Sequence, residues 1–299
     1  MQRSERFNRA DRVIKVGFWF NAILMVLKLL AGYFGKSEAV FADGVESGCD
    51  FIAILSTLVA LHVGRKPFDE NHPYGHGKAE SLSAILVSLL ILATGGGILF
   101  QSVRTIMAGG YQEPQGVAVL AALLTIGVKE ALCRYSMRVG EGLGSPAVLA
   151  IAKDHRKDAV TSIATLIGVS SAFFGFKIMD PLAAGLTAFF IFHIGYQTFM
   201  GAAHELMDGQ PPEEMIQAIV AIAEPVDGVE HVHEIRGRRS GQYLIIDLKL
   251  DMDPEMSVRH SHSIAVEVKR RIFEQFSEVG DVMIHINPHE EAHEDMVRL

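Results

Sequence analysis

The chain has little cysteine, only two residues in 299, and a single tryptophan. Cys49 and Cys133 both lie inside apolar runs, and the charged C-terminal part has no cysteine at all. A small disulfide-stapled scaffold is therefore excluded, and a reducing compartment suits the C-terminal part. The opening residues, MQRSERFNRADRVIK, lack a short apolar core followed by a cleavage site, so no removable signal peptide is expected. No HExxH spacing falls within an apolar stretch, the one instance (HEEAH, 289–293) lying in the charged C-terminal part, which argues against an intramembrane metallohydrolase. Basic residues are scarce from 209 onward, where nine Lys and Arg face eighteen Asp and Glu. A phosphate backbone needs a basic face, so nucleic acid is not an expected partner. Arg236, Arg238 and Arg239 form a local cluster that reads as a solvated loop.

Apolar residues are abundant at 49%, and their arrangement matters more than their total. Six long apolar stretches fall at roughly 13–34, 38–63, 80–106, 115–137, 147–175 and 178–201. About 20 apolar residues cross a bilayer as helix, so a membrane protein with six spans is expected, and not a soluble enzyme. The second and fifth stretches carry embedded charges and score less well by composition. Basic residues cluster before span 1 (Arg3, Arg6, Arg9, Arg12, Lys15), between spans 2 and 3 (Arg65, Lys66, Lys78) and after span 4 (Arg134, Arg138). The opposite connections are nearly free of them, apart from Lys36 and Lys177. The positive-inside rule then puts both termini in the cytosol. A multi-pass protein of a bacterial inner membrane is expected.

From 209 the pattern changes. Residues 211–224 and 257–276 have apolar positions at helical spacing, while 229–236, 242–251 and 281–287 read as strands. In the second strand Leu244, Ile246, Leu248 and Leu250 alternate with Ile245, Asp247, Lys249 and Asp251. The order αββαβ predicts a small α+β domain with helices on one face of a sheet. The domains are then 1–208, membrane helical, and 209–299, cytosolic. So few residues make a small core, which favours dimerisation through the second domain.

Charges inside spans require partners or water. Span 2 reads FADGVESGCDFIA, with Asp43, Glu46 and Asp50 along one helix face. Span 5 reads AIAKDHRKDAVTS, with Asp154 and Asp158 one turn apart. Glu46, Asp50, Asp154 and Asp158 can form a four-carboxylate site across two helices. Such a cluster repels itself unless protons or a divalent cation compensate it, which makes metal and protons compete for one place. The alternative is a salt-bridge network using Lys153, Arg156 and Lys157. His155 is rotated about 100° from Asp154 on an ideal helix and reads as peripheral. Cys49 reads as a small buried side chain. Oxygen donors favour Mn²⁺ or Fe²⁺, although Zn²⁺ also accepts carboxylates. Lys129, Glu130 and Arg134 in span 4 read as a local helix pair or interface anchor.

ADGVESGCD in span 2, ENHPYGHGKAES before span 3 and DHRKDAVTS in span 5 resemble, in order and spacing, the cation diffusion facilitators. The resemblance covers nearly the whole chain. It implies a homodimer in the lipid bilayer, six spans, a ferredoxin-like cytosolic domain and export of divalent cations against protons. It implies that spans 1, 2, 4 and 5 rock against spans 3 and 6. It places the transport ligands at Glu46, Asp50, Asp154 and Asp158. Zinc members usually have histidine at one or both first positions, so Glu46 and Asp154 resemble manganese or iron members. Span 5 also resembles the iron-handling members of magnetosome membranes. Further, Asp69, His72 and His76 resemble a cytosolic-loop metal site, with a plain polar loop as the alternative. Lys78 and Asp208 resemble a charged interlock. Asp247, His262, His285 and His289 resemble a regulatory metal site between cytosolic domains, with solvated histidines as the alternative. The tail histidines also include His231, His233, His260 and His293. The implied cargo is Mn²⁺, Fe²⁺ or Zn²⁺, with protons as counter-ion. A metal-responsive membrane scaffold that transports nothing is the rival reading.

Overall fold

The computed structural model describes residues 3–289 apart from Gly144, so His293 lies outside the described residues. Six long helices come first: α1 (Arg3–Phe34), α2 (Glu38–Gly64), α3 (Ala79–Ala108), α4 (Gly116–Leu143), α5 (Pro146–Phe173) and α6 (Met179–Leu206). Then follow α7 (Glu213–Ala223), β1 (His231–Ser240), β2 (Tyr243–Met252), α8 (Val258–Gln275) and β3 (Val279–Pro288). Among the described residues five helices are long and apolar enough to cross a membrane, and α2 is one of them despite its carboxylates. α5 has the length of its neighbours but carries Lys153, Asp154, Arg156, Lys157 and Asp158 in a single stretch. Ser145 caps its start, accepting from the Val148 N–H, and Pro146 occupies the first turn, where a missing N–H costs nothing.

By internal contacts the chain divides into two units: residues up to Ser56 with Leu86–Phe199, and Thr57–Ile85 with everything from Met200 on. In the first unit the helices approach through small side chains. Ala118, Ala121 and Ala122 on α4 pack with Ala31, Val40 and Val169, and Ala39 and Ala42 on α2 meet Ala184 on α6. A Cβ added to Gly95 on α3 would stand 2.9 Å from the Phe192 nitrogen on α6, and one on Gly195 would meet Ile91 and Leu92 on α3. Lipid offers no hydrophobic drive between helices, so close backbone approach and polar ties hold them.

Those ties are charged. Lys28 on α1, 1% exposed, places its Nζ 2.9 Å from Asp43 Oδ1 and 3.0 Å from Ser47 Oγ on α2. Ser162 on α5 donates to the same Asp43 carboxylate. At the start of α2, Asp180 of α6 accepts from the Ser37 hydroxyl and the Glu38 N–H, both at 2.6 Å.

In the second unit β2 is the central strand. It pairs antiparallel with β1 through the two-residue turn Gly241–Gln242, where Gly241 takes φ 60°, and parallel with β3. Leu244, Ile246, Leu248 and Leu250 of β2 are buried beneath Ile219 and Ala223 of α7 and Ile264, Val268 and Ile272 of α8. This is the expected αββαβ domain with its helices on one face. A membrane α-helical body and an α+β C-terminal domain are thus the observed fold class.

Removing one partner of a buried ion pair costs about 3–5 kcal/mol, whereas replacing both by apolar groups is often neutral. Lys28→Met is expected to destabilise the protein by that amount, and Lys28→Met with Asp43→Leu to recover most of it. Thermal unfolding of the full chain in detergent checks both.

Candidate metal sites

The loop after α2 folds around one carboxylate. Asp69 Oδ1 accepts the backbone N–H groups of Asn71 (3.0 Å) and His72 (2.7 Å). The His72 backbone donor and its imidazole, with Asn71, hold the Asp69 carboxyl below the usual carboxylate range, so it is ionised at neutral pH. His72 Nδ1 lies 3.2 Å from Asp69 Oδ1, and His76 Nε2 lies 3.4 Å from Asp69 Oδ2. The two rings have centroids 4.4 Å apart. His76 Nδ1 sits 3.2 Å from the Pro67 carbonyl. A hydrogen on Nδ1 satisfies that contact and leaves a lone pair on Nε2 facing a carboxylate oxygen. Two acceptors facing each other call for a cation between them, a proton or a metal. The ligand atoms of Asp69, His72 and His76 all lie within 4.8 Å of one another, and among the described residues they are the only such group of three or more. A carboxylate with two imidazoles suits a first-row divalent ion.

The four span carboxylates are arranged differently. Glu46 and Asp158 are half-buried, while Asp50 and Asp154 are exposed in the single chain. Asp50 lies within electrostatic reach of Asp154 and Asp158, and Glu46 within reach of Asp50, Asp43 and Asp158. They form one charged neighbourhood across α2 and α5 without bringing three ligand atoms within 4.8 Å. Asp158 holds a cation already, since Lys129 Nζ of α4 stands 2.6 Å from its Oδ2. Arg156 turns away to Glu130 at 3.6 Å and to Cys133 Sγ at 3.5 Å, while Lys157 lies within electrostatic reach of Asp50. Cys49 is buried and pairs with Thr94 on α3 at 3.4 Å. His155 is buried, and neither ring nitrogen has a hydrogen-bond partner among the described residues. The local pair anticipated in α4 forms between Glu130 and Arg134 at 2.7 Å. Lys129 does not join it. Its only advance signal was a lysine following a long apolar run.

In the C-terminal domain the expected ligands are spread out. Asp247 is opposite Arg236 and Met283, and Arg238 approaches it at 3.8 Å. His285 is opposite Lys249, and His262 is exposed on α8. His289 follows Pro288, the partner of Met252. Asp247 and His289 are therefore six register positions apart, about 20 Å along the sheet, and one protomer does not bring all four to one ion. The structure instead places His233 and His289 at 3.7 and 3.8 Å from the buried Asp251, which also accepts from Asn287. Strand alternation put Asp251 on the same face as Asp247, but the β1 register shift between Val232 and Glu234 that brings in His233 was not readable. Lys78 Nζ meets Asp208 Oδ1 at 2.5 Å, beside Ser81 donating to Glu205, so the interlock forms.

Residues 14–207 match the model of the cation efflux transmembrane domain, and residues 211–289 match that of the cation efflux protein cytoplasmic domain. The chain belongs to the cation efflux family, the cation diffusion facilitators. Among its relatives, the manganese efflux system protein MneP of Bacillus subtilis is 35% identical over 96% of this chain and 98% of its own length. The magnetosome protein MamB of Magnetospirillum gryphiswaldense is 31% identical over 93% of this chain and 94% of its own. A MamM CTD solved in a cadmium form is 27% identical over 26% of this chain and 98% of that one, with a TM-score of 0.26. The protein is a multi-pass membrane transporter of metal cations, as cation diffusion facilitators are.

Asp69→Asn combined with His72→Ala is expected to remove one tightly bound divalent ion per chain without unfolding the protein, because both side chains are at the surface. Equilibrium dialysis of the full chain with metal analysis checks it.

Proposed function

We propose that this protein exports Mn²⁺ or Fe²⁺, with Zn²⁺ as a poorer cargo, in exchange for protons. The observation that carries the reading is the single charged neighbourhood of Glu46, Asp50, Asp154 and Asp158 across α2 and α5. Each carboxylate there can be compensated by a metal or by a proton, and so loading one displaces the other. An all-oxygen donor set tilts selection toward harder ions. The manganese efflux relative MneP supports the same cargo.

In this reading both termini are cytosolic, the membrane is a bacterial inner membrane, and two chains associate through residues 209–299, with 1–208 as the membrane domain. Asp69, His72 and His76 hold a second ion on the cytosolic side. Asp247, His262, His285 and His289, contributed by two chains, form a regulatory site that biases the membrane domains toward one state when metal is bound.

In proteoliposomes an acidic interior is expected to drive Mn²⁺ uptake. Asp50→Asn with Asp158→Asn should reduce uptake to the protein-free background. Unchanged uptake by that double variant overturns the site.

A further inference from the structure

Lys129 is an unusual resident of an apolar helix. It is 4% exposed, and its Nζ lies 2.6 Å from Asp158 Oδ2. It is also within electrostatic reach of Asp50 on α2 and of His155 on α5. A lysine has three donors and no acceptor, and it occupies the carboxylate lone pairs that a metal would use. A divalent ion held by Asp50 and Asp158 would stand beside that ammonium and repel it. Yet a buried ammonium released from its carboxylate needs another acceptor.

The structure holds one. His155 is one turn before Asp158 on α5, buried, with both imidazole nitrogens unpartnered among the described residues. Such orphaned buried groups are rare and call for an explanation. A bare glycine, Gly17 of α1, faces the ring, since a Cβ there would meet His155 Nε2 at 3.1 Å. Space is thus kept for the imidazole while nothing satisfies it.

We propose that Lys129 is a tethered counter-ion that holds Asp158 while the site is empty and is displaced by the arriving metal onto the His155 imidazole. This rests on reading the four span carboxylates as the transport site. Lys129 is then a positioning residue that sets how tightly metal is held, because every binding event must evict it. Weak enough binding is what lets a carrier release its cargo.

The test measures Mn²⁺ affinity of the full chain in detergent, in the Asp69→Asn, His72→Ala, His285→Ala, His289→Ala background so that neither the loop nor the cytosolic domain contributes. Lys129→Gln is expected to tighten Kd at least tenfold, and Lys129→Arg, which keeps the charge, to stay within about threefold of the parent. His155→Phe is expected to weaken binding at least threefold when Lys129 is present and not at all in Lys129→Gln, a coupling that a purely structural histidine would not give. Lys129→Met repeats the test should Lys129→Gln fail to fold, as judged by its thermal unfolding. An unchanged or weaker Kd in a folded Lys129→Gln or Lys129→Met protein overturns the counter-ion, as does an equal His155→Phe effect in both backgrounds. Asp158→Asn separates the two readings. Loss of binding there with no effect of Lys129→Gln overturns only the counter-ion. Undiminished binding there overturns the carboxylate site and the counter-ion with it.

Discussion

A charge carried into hydrocarbon must be answered by an opposite charge, by donors or by a proton, and that requirement organises the membrane body of this protein. Lys28 answers Asp43, with Ser47 and Ser162 completing the set across α1, α2 and α5. Asp180 is answered by Ser37 and the Glu38 N–H at the start of α2. Lys129 answers Asp158. Each pairing joins different helices, so the same contacts that neutralise charge also fix which helices are neighbours. What is left over, Glu46, Asp50 and Asp154, has no ion pair of its own among the described residues beyond the more distant Lys157, and it gathers across α2 and α5.

Much of this was legible in the sequence. Five of the six long helices followed from apolar length, α5 from the one-sided placement of its charges, and the C-terminal domain from its alternation. Leu244 to Leu250 alternate as the buried face of a central strand, and α8 buries Ile264, Val268 and Ile272 at helical spacing. The i, i+4 pairs Glu46–Asp50 and Asp154–Asp158 were visible because helical periodicity is local. What crosses between helices was not. Lys28 and Asp43 are fifteen residues apart and Lys129 and Asp158 twenty-nine, and no spacing rule reaches over a turn of chain to join them. The bases of the alternative reading, Lys153, Arg156 and Lys157, are not the ones that hold Asp158; a lysine on α4 does so, while Arg156 turns to Glu130.

The loop ending at α3 is a contrasting case. Asp69, His72 and His76 lie close in sequence, so a single turn brings them together, and the local motif was enough. The cytosolic histidines show the reverse. His233 reaches Asp251 only because β1 slips its register beside it, and β3 delivers His289 to the same carboxylate from the far side of the central strand. Sheet register is a property of pairing, and a list of histidines does not carry it.

The last membrane helix closes the bundle. α6 meets α3 at Gly95 and Gly195, its Asp180 ties down the start of α2, and its Ala184 seats Ala39 and Ala42. All of these partners leave the ribosome before α6 does. During synthesis the earlier helices must therefore wait in the lipid with glycine clefts unfilled and Ser37 unclaimed, and the body locks only when the final helix inserts. Quality control that senses unassembled polar groups has its window there, and α6 is the segment that shuts it.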